Sequence, residues 1–219
     1  MYRYFTQPFI NKVTNTIVGY ELLIREFSEQ RWSFPANLKN IPFELQTQLL
    51  QNEAARIKQE ILFVSFNLNR SQFMNANFAA LLTAAQKRIA PLTLILEITE
   101  ETAAWEQDPD DILAQMTYFK QHGILLSFDD VGTGMNTYEN IKVFLPHATE
   151  IKFALQNYRA NKQDYAILTD LYFWREIAQR YCLTLIVEGI ETLHDEQLLD
   201  QMKLSYRQGY YYGKPALLE

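Results

Sequence analysis

Seven short runs rich in Ile, Val, Leu, Phe and Tyr punctuate this chain, at residues 16–24, 61–68, 92–99, 124–129, 149–154, 183–189 and 206–212. Most are nearly continuous in apolar character. A strand wetted on one face alternates apolar and polar residues, whereas a strand covered on both faces does not. The runs therefore predict parallel strands packed between helices. The stretches between them supply the helices. Residues 43–59, 71–88, 106–121, 163–181 and 192–203 repeat apolar positions at three- and four-residue spacing. Ser71 and Asp110 are expected to cap two of these helices, and Gly123 to stop one. Strands alternating with helices give βαβ units and a mainly parallel sheet. Segments 2–9 and 15–24 differ, because "NKVTNT" joins them as a hairpin and makes one strand antiparallel. The predicted fold class is α/β, a TIM-barrel-like (β/α)8 variant with one antiparallel strand near the N-terminus. An open doubly wound sheet is the alternative.

The chain has 219 residues, 48% of them hydrophobic and 14% aromatic, which suffices for one large core. No linker-like stretch divides it, so residues 1–219 read as a single domain. A formal net charge of −6 argues against general DNA or RNA binding, which depends on cationic contacts to phosphates. With one cysteine, Cys182, there is no intrachain disulfide and no cysteine-rich zinc site. Cys182 lies in "YCLTLIVE" and reads as a small core residue. The N-terminus lacks a secretory pattern, and no apolar run approaches membrane-spanning length, so a soluble cytoplasmic protein without membrane contact is expected.

Each apolar run delivers a polar group near its end or within it. Glu21 lies in "GYELLIR", Asn67 closes "VSFN", Glu97 closes "LILE", and Asp129 and Asp130 close "LLSFDD". Lys152 sits in "EIKF", Glu188 closes "LIVE", and Gln208 interrupts "YRQGYYY". In a parallel barrel the C-terminal strand ends converge on one mouth, where active sites are built. Five acids gathered there repel one another unless cations occupy the site. Carboxylates with one amide oxygen, and no cluster of Cys or His, describe a hard-cation site suited to Mg²⁺ or Mn²⁺. His122, His147 and His194 are scattered through loop-like and helical stretches and read as surface or capping residues.

The sequence resembles the EAL domain family, bacterial hydrolases of cyclic di-GMP, over essentially the whole chain. "QPFINKVTNTIVGYELLIR" is similar to the family's opening, with Glu21-Leu22-Leu23 for E-A-L and Arg25 retained. "FVSFNLNRSQF", "LILEITEET", "FDDVGTGMNTYENI", "IVEGIET" and "RQGYYYGKP" resemble the motifs that follow, in the family's order. The resemblance implies two divalent cations, Mg²⁺ or Mn²⁺. Glu21, Asn67, Glu97 and Asp129 would hold the first; Asp129 and Asp130, with Glu188, would hold the second. It implies that Lys152 positions the attacking water, Glu188 transfers a proton and Gln208 orients water or ligand. Arg25, Leu23 and Gln7 would contact the substrate, Glu100 would anchor the loop after Asp130, and Glu191 would support the site. The family's K-x-D reads Lys152-Phe153-Ala154 here, Val131 replaces a phenylalanine, and Asn136-Thr137 replace paired serines. Three functions follow: a phosphodiesterase giving linear pGpG, a non-hydrolysing cyclic di-GMP receptor, or a protein-interaction module. A homodimer through helices near Asp129-Asp130 and a regulatory protein partner are compatible with each, and the chain is expected to be a stand-alone EAL module or one excised from a longer protein.

Overall fold

β1 (Tyr2–Asn11) and β2 (Thr16–Ser28) form the expected antiparallel hairpin, and β1 then closes the sheet on itself. The computed structural model describes residues 1–99, 106–160 and 167–218. Around the ring follow β4 (Phe63–Leu68), β5 (Thr93–Ile98), β6 (Leu125–Phe128), β7 (Glu150–Ala154), β8 (Thr184–Glu188) and β9 (Tyr206–Arg207). From β2 through β4 to β9 every pairing is parallel. β1 pairs antiparallel with both β9 and β2 and completes an eight-stranded barrel. A short β3 (Arg31–Ser33) adds to β2 outside the ring. The barrel, not the open sheet, is the architecture.

Helices cover the outside: α1 (Phe43–Ala54), α2 (Arg70–Phe73), α3 (Ala76–Ile89), α4 (Pro109–Gln121), α5 (Tyr138–Ile141), α6 (Leu155–Ala160), α7 (Ile167–Tyr181) and α8 (Leu193–Gln201). Outward strand residues such as Val64, Phe66, Leu96, Phe128, Phe153 and Val187 are buried beneath them, in one cluster with Leu50, Phe78, Met116, Phe119, Leu171 and Trp174. This double burial is why the strands read as continuous apolar runs. Inside the barrel, Phe9 and Ile186 pack with Phe63 and Tyr206 as a separate apolar cluster. Gly19 makes room for it, since a Cβ there would meet the Phe63 ring at 2.4 Å.

Several local expectations change. The stretch predicted as one helix over 71–88 is two, because Asn69 and Asn75 cap α2 and α3 in turn and leave Ser71 inside α2. Asp108 precedes Pro109 at the start of α4, so Asp110 falls in the first turn instead of capping it. Gly123 does stop that helix, at φ +75°. The last strand spans only residues 206–207, because Gly209 turns against the Ile190 backbone. Cys182 is exposed at φ +55°, in the turn before β8, and is not a core residue.

Candidate active site

Side chains on a strand alternate faces, so Glu150, Lys152 and Ala154 share the inward face of β7. Lys152 is almost fully buried and lies among four carboxylates from four other positions on the ring. Its Nζ is 2.9 Å from Glu97 Oε2, 3.2 Å from Asp129 Oδ1, 3.3 Å from Glu188 Oε2 and 3.7 Å from Glu21 Oε2. Glu21 is further fixed by two amides: Asn67 Nδ2 donates to its Oε1 and Gln208 Nε2 to its Oε2, each at 2.7 Å. Asp130 joins from the loop, with Asp129, Asp130 and Glu188 offering oxygens within 4.8 Å of one another. Glu21, Asn67, Glu97, Asp129, Asp130, Lys152, Glu188 and Gln208 thus meet in one place.

The adjacent aspartates reach the same place because the strand ends between Phe128 and Asp129. Asp130 itself takes the left-handed conformation, at φ +47°, and Gly132 follows at φ +94°. The turn therefore begins at the second carboxylate, two residues earlier than the glycines alone indicate. Asn136 holds it: the fully buried Nδ2 donates to the carbonyls of Asp129 (2.6 Å) and Ile98 (3.0 Å). Arg70 Nη2 donates to Asn136 Oδ1 at 3.3 Å. The Asn136 departure from the family's serines thus grips the backbone of a central carboxylate. Glu100 lies outside the described residues.

The remaining residues line the mouth. Gln7 shares a cleft with Glu188, Gln208 and Glu191, and its Nε2 donates to Gly213 O at 3.2 Å. Leu23 and Arg25 line a second cavity that also reaches Asn67, together with Phe34. Glu191 is exposed, and its backbone N–H donates to Asp195 Oδ2 at 3.0 Å. Arg25 and Leu23 therefore sit beside the cluster, not in it.

Electrostatics follow from the count of charges. Burial pushes Glu97 and Glu188 well above the ordinary carboxylate range, with Lys152 pulling each back. Glu150, one step deeper than Lys152 on the same face, is pushed up to about 7 by burial. Burial also opposes the charge on Lys152, but Asp129, Glu188, Glu21 and Glu97 together outweigh it and hold the ammonium firmly protonated. One ammonium cannot balance this many acids. Among the described residues, buried oxygens of Glu188 and Gln208 at the mouth also have no protein hydrogen-bond partner. A surplus of hard, unpartnered oxygens fits divalent cations.

Sequence reasoning did not single out Glu150 or Arg70, and named Asn136 only as a departure from the family's paired serines. Glu150 carried a signal, its two-residue spacing from Lys152. Arg70 carried none, because its partner is 66 residues away.

An α/β barrel with a mouth of carboxylates and amides is the class that the topology and this cluster define. The chain belongs to the EAL domain family, which it matches over residues 2–215. It is similar to the probable cyclic di-GMP phosphodiesterase PdeA of Escherichia coli (strain K12), 28% identical over 157 residues. That match covers 70% of this chain and 21% of PdeA. It is also similar to the probable cyclic di-GMP phosphodiesterase PdeG of the same strain, 24% identical over 232 residues, covering 97% of this chain and 44% of PdeG. The chain thus spans less than half the length of either relative. Among solved structures, the Bacillus subtilis YkuI protein in complex with cyclic di-GMP and calcium superposes at a TM-score of 0.81 with 20% identity. That superposition covers 99% of this chain and 56% of YkuI. Among the described residues no helix is long and apolar enough to cross a membrane.

Proposed function

We propose that the protein is a divalent-cation-dependent phosphodiesterase that opens cyclic di-GMP to linear pGpG. The observation that carries this reading is the convergence of Lys152, four carboxylates and two amides at the barrel mouth, with Asp130 in reach of Asp129 and Glu188. Glu21, Asn67, Glu97, Asp129, Asp130 and Glu188 would hold two cations, Mg²⁺ or Mn²⁺. When bound, such a pair supplies charge neutralisation at the phosphodiester and an acidified water. Lys152 positions the water for attack on phosphorus, in line with the 3′-oxygen. The new P–O bond forms as the P–O3′ bond breaks, leaving a 5′-phosphate. Glu188, 3.3 Å from Lys152, is the group that would transfer a proton toward the leaving 3′-oxygen. Asn67 and Gln208 hold Glu21 in place, and Gln208 Oε1 is left to accept a hydrogen bond from water or ligand. Arg25 and Leu23, in the adjoining cavity, and Gln7, in the cleft, contact the nucleotide. Placement and electrostatic stabilisation supply most of the rate.

A second reading rests on Ala154, the register partner of Glu188, which offers no polar group there. On that reading the barrel binds cyclic di-GMP without hydrolysing it. Chromatography of cyclic di-GMP incubated with purified protein and Mn²⁺ separates the two. Hydrolysis predicts pGpG that disappears in chelator and with Glu21→Ala; binding in calcium without any product supports the receptor.

A further inference from the structure

Between Glu188 and α8 the chain makes a tight loop, Gly189 to Thr192, and α6 touches it on two sides. Arg159 Nη1 donates to the Gly189 carbonyl at 2.9 Å, and its Nη2 pairs with Asp195 Oδ1 at 2.5 Å. Asp195 Oδ2 in turn accepts the backbone N–H groups of Glu191 (3.0 Å) and Thr192 (2.9 Å). One guanidinium therefore governs the loop's carbonyl directly and its N–H groups through Asp195. Against the cleft, Gln156 fills the space that a side chain at 189 would take. A Cβ on Gly189 would lie 1.8 Å from Gln156 Oε1 and 2.9 Å from the Gln156 backbone nitrogen. Gln156 also lines the cleft with Glu188, Gln208 and Gln7.

From β7, Lys152 reaches the Glu188 carboxylate at 3.3 Å, but the residue level with Glu188 adds nothing. That register partner is Ala154, a buried methyl with nothing to donate or accept. α6 begins at the next residue, Leu155. Gln156 and Arg159 thus reach the loop from the helix that directly follows Ala154.

We propose that Arg159, with Gln156, is a positioning residue for Glu188, fixing the Gly189–Thr192 loop from α6 while Lys152 engages the carboxylate from β7. The inference rests on the hydrolase reading for its kinetic consequence, but not for its structural one. A planar fork engaging a carbonyl and a carboxylate at once cannot be replaced by a point-charge ammonium without losing one contact. Supporting contacts of this kind typically alter metal affinity or activity by about 10–100-fold.

The test compares wild type with Arg159→Ala, Arg159→Lys, Gln156→Ala and Asp195→Asn. Melting temperature, kcat, KM for cyclic di-GMP, and Mn²⁺ affinity by calorimetry are measured for each. Arg159→Ala is expected to lower kcat and Mn²⁺ affinity by about tenfold or more with little change in KM. Arg159→Lys recovers part of both, and Gln156→Ala shows a smaller loss. If Arg159→Ala does not fold, Asp195→Asn, which keeps the shape and weakens the same link, decides the matter by the same readouts. A folded Arg159→Ala with wild-type kcat and Mn²⁺ affinity overturns the proposal. If wild type itself makes no pGpG, the hydrolase reading fails, and the Mn²⁺ affinities alone decide the role of Arg159.

Discussion

A single buried ammonium organises the barrel mouth. Lys152 contacts four carboxylates, and removing it leaves them facing one another without a counter-charge. Breaking a buried ion pair by deleting one partner costs about 3–5 kcal/mol. Lys152→Met should therefore destabilise the chelator-treated protein by about that much in urea unfolding, and Mn²⁺ should restore most of the loss. Equal stability of the two proteins in chelator would contradict this. Glu150 makes the opposite contribution. Its folded-state carboxyl holds a proton to about pH 7, against an ordinary value of 4.5. The native state thus binds more protons than the unfolded chain between those values, and stability falls as pH rises through that window. The full cost, reached above pH 7, is about 3 kcal/mol. Glu150→Gln should remove it, so the loss of stability between pH 5 and pH 8 in chelator should shrink by about that amount. An unchanged pH slope would show that Glu150 ionises normally. At this scale the sequence was most readable where a polar residue ends an apolar run, as Glu97 and Glu188 do. It was least readable where a residue's role comes from a distant partner, as with Arg70 and Asn136.

At the scale of elements, the loops after β8 and β9 set the site as much as the strands do. Gly189, at φ +71°, lies against Gln156, and Gly209 lies against Ile190, where a Cβ would come within 2.1 Å of the carbonyl oxygen. A side chain at either position must move backbone as well as side chains. Gly189→Ala is expected to destabilise the protein by about 2 kcal/mol and to lower turnover, read by thermal melting and by the rate of pGpG formation. A variant with wild-type melting and rate would show that the loop yields freely. The strands covered by helices were legible because burial on both faces removes polar residues from them. β9 was legible only in part: "YRQGYYY" has strand-like composition, but the close approach at Gly209 ends the strand after Arg207. The break between α2 and α3 was hidden because apolar spacing runs through it, while Asn75 starts the second helix anew.

At the scale of the whole molecule, β1 converts seven parallel strands into a closed ring, and closure is what brings Glu21 and Gln208, 187 residues apart, within a hydrogen bond. The hairpin that supplies β1 was legible from "NKVTNT"; the closing pair, β1 with β9, was not, because it spans nearly the full chain and involves two residue pairs. Glu97 and Glu188, whose burial favours the protonated carboxyl, must give up protons to bind cations and so link metal binding to pH. Cation binding should release protons, so Mn²⁺ affinity should rise from pH 6 to pH 8, and calorimetry in buffers of different ionisation heat should detect the release. Affinity independent of pH and buffer would mean that the acids are already ionised in the free protein. The central claim is that this mouth directs water onto the phosphodiester of cyclic di-GMP. Mass spectrometry of the product formed in ¹⁸O-water with Mn²⁺ tests it most directly. A single turnover should give pGpG carrying one ¹⁸O atom, on its 5′-phosphate; unlabelled pGpG, or intact cyclic di-GMP with no product, would contradict it.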